Sequence, residues 1–454
     1  MNVLVALLVI IITGYMVIKK YKAQTILLAG GLLMMLAAFL LGYTTEFVSA
    51  KEKTGNLFFD AFKYISVLAS KDAAGLGLMI MVCTGFAKYM DHIGASSRLV
   101  YSAVKPLGAM KAPYLVMSFT FLINMFMSLV IPSASGLAML MMVTIFPILV
   151  KLGVSPLGAA AAVATGHLLD IGPASATTLL ASKTAGMPVD EYFVSYQLPV
   201  YIICGVVASI AHFFWQRYLD KKEGYQVSEE DVQVSVDKEI VVGPAIYMFL
   251  PLLPLVFLLG FSKYGIPGIK MDVNTAMILS MFIAMVCELI RLRDIKKVAS
   301  SIQTFFKGMG DQFSNTVTLV IAGETFAFGL TSLGVVNSFV TTIKGLALTT
   351  DVVTIGISLI IIALSIVMGS GVASMFAFAP LVPSFAKELG AQATPMLLAM
   401  QNSASLGRLL SPISAVMIAV AGMANVSSIE LVKRTAVPVL VTFITSVICI
   451  AFLH

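Results

Sequence analysis

Apolar runs of near-spanning length recur along the chain, at 3–18, 23–43, 73–92, 197–216, 244–261, 272–290, 313–334 and 431–452. About 20 apolar residues in a helix cross ~30 Å of hydrocarbon. Inside that layer every backbone N–H and C=O must be bonded within the protein, which leaves helices or closed barrels. The runs far exceed the ~10-residue segments of a membrane β-barrel. The expected fold is therefore an all-α polytopic membrane protein. Composition agrees: 59% of residues are hydrophobic and 11% charged, against about 45–50% apolar and about 25% charged in soluble domains. A soluble enzyme, a disordered chain and a secreted disulfide scaffold are excluded. Cys83, Cys204, Cys287 and Cys449 all lie within apolar runs, as packing residues rather than disulfides or metal ligands. The histidines form no metal-binding spacing, and no cofactor is expected.

The net charge of +6 does not point to nucleic acid, because the basic residues cluster between apolar runs. Lys19/Lys20/Lys22, Lys88/Arg98/Lys105/Lys111, Arg217/Lys221/Lys222, Arg291/Arg293/Lys296/Lys297 and Lys433/Arg434 are assigned to the cytoplasmic side by the positive-inside rule. The first span then begins outside, and both termini are expected to be periplasmic. The N-terminal run lacks a preceding basic region and reads as a span rather than a cleavable signal. The charge-mixed segment 44–72 falls outside, with an interfacial helix at 56–70. Residues 223–243, polar and acidic at first, read as a cytoplasmic linker.

Two blocks, 112–185 and 352–424, are too long for one span and too rich in Gly, Ser, Thr and Pro for plain ones. Within them lies an internal repeat. Pro156, Pro173 and Pro199 are spaced by 17 and 26 residues, and Pro395, Pro412 and Pro438 repeat that spacing 239 residues later. In this register Pro173-Ala174-Ser175-Ala176 meets Pro412-Ile413-Ser414-Ala415, and Glu191 meets Glu430. Basic residues follow the span at 197–216 but precede its counterpart at 431–452, so the copies are read as inverted. The expected architecture is two inverted repeats, 1–222 and 244–454. It has about ten spans, two re-entrant hairpins (115–150 and 352–389) and two broken helices (155–185 and 393–424). The breaks are placed around Thr165–Thr178 and Asn402–Ser414. Inverted repeats with discontinuous helices are the construction of secondary transporters, which bind substrate near the midplane.

Helix N-termini at such breaks offer free N–H groups and a positive dipole end to an anion. Ser133, Ser135 and Gly136 at one hairpin tip, and Ser370, Gly371 and Ser374 at the other, are candidate substrate contacts. Ser175, Asn402, Ser403 and Ser414 at the broken helices join them. Small residues of this kind also serve close helix packing. Arg408 lies mid-way through an apolar block, where a charge is costly. Its planar fork fits a carboxylate bidentately, so it is read either as a clamp on an anionic substrate or as half of a structural ion pair. Asp170 is the obvious alternative partner. His167 and Asp170 share one face of a continuous helix, and would either carry a coupling proton or hold the broken helix together. Glu324 is a further coupling candidate, or a helix–helix hydrogen bond. The coupling ion is a proton or sodium, with sodium candidates near Ser135 and Gly371.

The string Asn402-Ser403-Ala404-Ser405-Leu406-Gly407-Arg408-Leu409-Leu410-Ser411-Pro412-Ile413-Ser414 resembles the anaerobic four-carbon dicarboxylate transporters of the DcuC/DcuD type. So do Val432-Lys433-Arg434-Thr435-Ala436-Val437-Pro438 and Ala211-His212-Phe213-Phe214-Trp215-Gln216-Arg217. The resemblance covers nearly the whole chain, while Thr165–Asp170 departs from the family pattern. It implies an elevator-type transporter that moves succinate, fumarate, malate or aspartate across a bacterial inner membrane, by cation-coupled symport or exchange. A homodimer is expected. Another organic anion as cargo, and a gated anion channel, stay open as alternatives; an enzyme is not expected.

Overall fold

The computed structural model describes residues 2–43, 46–226, 241–266, 268–269, 271–335, 338, 341 and 349–452; these form helices and connecting turns, with no strand among them. Most of the acidic linker, 227–240, lies outside the described residues. Seven helical stretches are long and apolar enough to cross a membrane: Ala23–Leu40, Leu57–His92, Val189–Lys222, Val273–Leu292, Ile295–Ser332, Thr350–Met368 and Ser428–Ala451. Leu4–Val17, Pro113–Ser128, Ala134–Thr144 and Ala245–Gly260 are shorter apolar helices.

Local chemistry sets the helix ends. Asn56, Ser155, Asp272 and Asp294 cap N-termini by accepting from the backbone N–H two or three residues on, which satisfies an otherwise orphaned donor. Gly186, Gly369 and Gly390 end helices in the left-handed conformation. The helix expected at 56–70 is present as Leu57–Asp72. It is not a separate interfacial element. It continues through a π-helical turn, Ala73–Gly77, into Leu78–His92, with a kink at Gly75. Further π-helical turns lie at Phe193–Gln197, leading into Leu198–Lys222, and at Phe313–Val317, joining Gln303–Gln312 to Thr318–Ser332.

The helices pack as two bundles. In one, Ala23–Leu40 lies against Thr318–Ser332, and Leu78–His92 lies against Gln303–Gln312 and Val273–Leu292. In the other, Leu198–Lys222 packs on Ser428–Ala451 and Pro113–Ser128, and Ala393–Leu409 on Thr350–Met368 and Ser428–Ala451. Leu198–Lys222 and Ser428–Ala451 run antiparallel. Cys204 contacts the Thr442 carbonyl near one end, while Gln216 and Asp220 bond Arg434 near the other.

Arg434, assigned with Lys433 to the cytoplasmic side, is buried in an ion-pair network. It is 2% exposed and forks onto Asp220 at 2.6 Å and Glu223 at 2.5 Å. Asp220 also accepts from the Ser155 N–H, the Ser155 hydroxyl and Tyr114. A buried charge pair offsets its desolvation only when the remaining lone pairs are satisfied in this way.

Both long blocks are interrupted. Pro113–Ser128 and Ala134–Thr144 flank the turn at 129–133; Thr350–Met368 and Gly371–Phe378 flank Gly369 and Ser370. Pro156–Ala164 passes through a 3-10 turn, Thr165–His167, into an irregular stretch before Ala176–Ala185. The second block differs from expectation. Ala393–Leu409 is continuous, and only 410–414 separates it from Ala415–Met423. Gly166 and Gly172 of the first block correspond to Ser405 and Ser411 of the second. Gly172 adopts φ +100, which favours glycine. A Cβ on Gly166 would lie 1.9 Å from the Asn124 amide nitrogen, which donates to the Val163 carbonyl where the helix breaks. With serines there, the second helix runs on until Pro412, which has no N–H to offer.

Candidate functional site

The interrupted segments meet at a cavity of about 540 Å³, within the common range for small-molecule sites of about 300–1,000 Å³. The N-terminus of Ala134–Thr144 contributes Pro132, Ser133, Ser135 and Gly136. Ser133 is its cap, accepting from the Gly136 N–H at 3.2 Å. The first broken helix contributes Asp170, Ser175 and Ala176; the second interrupted block contributes Val372 and Arg408. Thr84, Lys88 and Asp91, with Asp311, Gln312, Asn315 and Thr316, complete the wall.

Arg408 is the distinctive group. Its Nη2 donates to the His167 carbonyl at 3.1 Å. Its Nε is buried without a hydrogen-bond partner, and among the described residues Arg408 forms no ion pair. A guanidinium that lines a cavity with donors to spare suits a carboxylate ligand.

Asp170 is held from both sides. Its carboxylate accepts from the Ser175 hydroxyl at 3.0 Å and the Thr177 hydroxyl at 2.9 Å. Its backbone N–H donates to Ser405 Oγ, and its carbonyl accepts from Gln401 Nε2 at 2.8 Å. Gln401, Ser405 and Arg408 are spaced as one face of the helix Ala393–Leu409, and that face holds the irregular stretch His167–Asp170 in place. The Gln401 amide also takes Gln197, Tyr192, Thr177 and Thr178 into one buried network. Sequence reading passed over Gln401 and Ser405. The signal available was the helical spacing of the polar residues at positions 401, 405 and 408, which places them on one face.

His167 and Asp170 do not share a helical face, because the chain leaves the helix between them. His167 is buried with Nε2 unpartnered, and the Asp170 carboxylate is taken by Ser175 and Thr177 instead. Asn402 is also away from the cavity: its amide donates to Ser446 at 2.8 Å. Ser403 and Ser414 are buried and do not line the cavity. Ser374 is bonded to Ser365 at 2.5 Å. Ser370 caps its own helix. Gly371 serves a close approach: a Cβ there would lie 2.3 Å from the Ala404 carbonyl oxygen. From that tip only Val372 reaches the cavity. Glu324 is elsewhere, bonded to Lys183.

A family model described as the C4-dicarboxylate anaerobic carrier, DcuC, matches residues 1–454. The chain belongs to this family. Among relatives of the DcuC family, the probable anaerobic C4-dicarboxylate transporter of Vibrio cholerae is 35% identical over 454 residues, covering 99% of this chain and 97% of the relative. The anaerobic C4-dicarboxylate transporter of Escherichia coli K12 is 35% identical over 447 residues, covering 98% and 95%. Two solved structures share the fold. Neisseria gonorrhoeae MtrF, described as one of a class of antimetabolite efflux pumps, superposes with a TM-score of 0.62 at 15% identity, covering 94% of this chain and 95% of that one. The Alcanivorax borkumensis YdaH transporter has a TM-score of 0.57 at 13% identity, covering 94% and 97%. Membership of DcuC, with these apolar helices, makes the chain a multi-pass membrane transporter.

Proposed function

We propose that this protein is a secondary carrier of four-carbon dicarboxylates in a bacterial inner membrane. The observation that carries the reading is Arg408: a cavity-lining guanidinium with an unpartnered Nε and no ion pair, facing the same space as a helix N-terminus at Ser133–Gly136. One substrate carboxylate binds Arg408 and the other binds the hairpin tip, with Ser133, Ser135 and Ser175 as hydroxyl partners. The cavity also holds Asp91, Asp170 and Asp311 against Lys88 and Arg408. A dianion is therefore favoured when Asp170 takes up a proton as the substrate enters. Asp170 balances Arg408 in the empty site.

The architecture that goes with this reading is two inverted repeats, 1–222 and 244–454. Support comes from Ala176–Ala185 and Ala415–Met423, which begin 239 residues apart as the prolines do, and from the antiparallel packing of Leu198–Lys222 on Ser428–Ala451. The hairpins at 115–150 and 352–389 are re-entrant from opposite sides. Transport proceeds by sliding the Arg408 bundle against the other. The termini are periplasmic and the carrier is a homodimer.

The test is counterflow of labelled succinate in proteoliposomes, with pH and sodium varied separately. Unlabelled succinate, fumarate and malate on the far side should each drive uptake. Conduction without counterflow would make the protein a channel, and counterflow with a different organic anion alone would replace the cargo.

A further inference from the structure

A second ionic cluster lies outside the cavity, between the two bundles. Lys183, on Ala176–Ala185, donates to Asp72 Oδ1 at 2.8 Å and to Glu324 Oε1 at 3.3 Å. Asp72 ends Leu57–Asp72, just before the first π-helical turn, and Glu324 lies on Thr318–Ser332. The Asp72 side chain is 1% exposed, against 21% for Glu324 and 33% for Lys183. Asp72 Oδ2 is buried with no partner at all. Tyr64 is stacked on Phe328 at 4.1 Å, within electrostatic range of both carboxylates. Lys71 approaches Glu324 from an exposed position.

The charge count is uneven. Two carboxylates share the Lys183 ammonium, Lys71 stays outside in the exposed shell, and one buried carboxylate oxygen, Asp72 Oδ2, is left over. Two neighbouring carboxylates do not both stay ionised away from water without a cation between them. No group of three or more His, Cys, Asp or Glu side chains is assembled among the described residues, so the cluster offers no metal shell of several oxygens. It does offer a place for a proton.

The repeat register adds a second, independent observation. The π-helical turns Ala73–Gly77 and Phe313–Val317 lie 240 residues apart. Aligned on these turns, one residue off the 239-residue spacing of the prolines, Asp72 corresponds to Gln312 and Glu324 to Thr84. Gln312 and Thr84 both line the open cavity. In an inverted pair of repeats, Asp72 and Glu324 therefore occupy the equivalent place on the face that is closed here, and Lys183 bridges it shut.

We propose that Asp72 and Glu324 form a proton-binding site on the closed face of the transport path, with Lys183 as the tethered cation that fills it when no proton is bound. The proposal rests on the carrier reading and names its coupling. When the bundles shift and this face opens, the Lys183 ammonium withdraws into water. One carboxylate then takes a proton from that compartment, forming an O–H bond. When the face closes, the ammonium returns to the carboxylates, the O–H bond breaks, and the displaced proton passes to water in the cavity, which is then open to the other compartment. The site complements Asp170. A dianion that crosses with a single proton still moves net charge through the membrane potential; a second proton makes the step neutral.

Two measurements test this. The first needs no cargo: infrared difference spectra of the purified protein at neutral pH. Lys183→Met should gain a protonated-carboxyl C=O stretching band that wild type lacks. The second uses proteoliposomes with a pH gradient and an imposed potassium-diffusion potential. Wild type should accumulate succinate independently of the potential. Asp72→Asn keeps a balanced Lys183–Glu324 pair and should fold and exchange succinate, but its accumulation should become potential-dependent. Identical infrared spectra for wild type and Lys183→Met overturn the proposal. So does the same response to potential in wild type and Asp72→Asn. If wild type fails to exchange succinate at all, the dicarboxylate reading is lost, and the infrared comparison alone decides the proton site. Should Lys183→Met not fold, Lys183→Gln carries the same infrared comparison.

Discussion

Replacing Arg408 by Lys keeps the charge and removes the fork. In the structure the guanidinium already spends Nη2 on the His167 carbonyl at 3.1 Å, while Nε has no partner and the group lines the cavity. A planar guanidinium can hold His167 and still present a pair of donors to a carboxylate. A lysine ammonium is a compact point charge on a flexible stem. It must choose between the His167 carbonyl and the substrate, or hold both with poorer geometry. One charge-assisted hydrogen bond contributes about 1.5–3 kcal/mol. Arg408→Lys should therefore weaken dicarboxylate binding roughly ten- to a hundred-fold. Thermal stability without substrate should fall by no more than about 1.5–3 kcal/mol, since the bond at risk, to the His167 carbonyl, has a charged donor that the lysine ammonium can partly replace. The assay is the rise in unfolding temperature of purified wild type and variant across a succinate titration. Equal succinate affinity in the two proteins would refute the clamp, and would make Arg408 a strut for the His167–Asp170 stretch.

Other substitutions probe other parts of the argument. Asp170→Asn should cut gradient-driven accumulation to the part that the remaining proton site supports, while exchange persists at a reduced rate, because exchange needs only the loaded carrier to reorient; accumulation at the wild-type level would remove Asp170 from coupling. Gly166→Ala sets a methyl 1.9 Å from the Asn124 amide, so it should destabilise by about 1–3 kcal/mol, and an unchanged melting temperature would mean that the break relaxes freely. Arg434→Met strands Asp220 and should cost about 3–5 kcal/mol, read as a loss of folded monodisperse protein on heating in detergent. A small loss there would mean that Ser155 and Tyr114 suffice to hold Asp220.

The sequence by itself determined the class of fold. The length of the apolar runs and the scarcity of charge leave a helical membrane protein as the physical solution, since lipid satisfies no backbone group. The glycines, serines and prolines of the two long blocks also marked where helices end. Ser133, Ser135, Gly136, Asp170, Ser175 and Arg408 were chosen from their types and places, and they line one cavity. Tertiary structure decided what those types alone leave open. Asn402 and Arg408 are six residues apart on one helix, yet Asn402 turns to Ser446 and Arg408 to the cavity. Ser133 lines the cavity, whereas Ser374 spends its hydroxyl on Ser365. Gln401 and Ser405 acquire their importance from a partner, Asp170, more than 230 residues away in sequence. Lys183, Asp72 and Glu324 come from three separate helices and meet only in the packed structure. A hydrogen bond depends on direction and distance within a few tenths of an ångström. Residue type fixes what a side chain can bond, and only the packing of helices fixes which partner comes within reach.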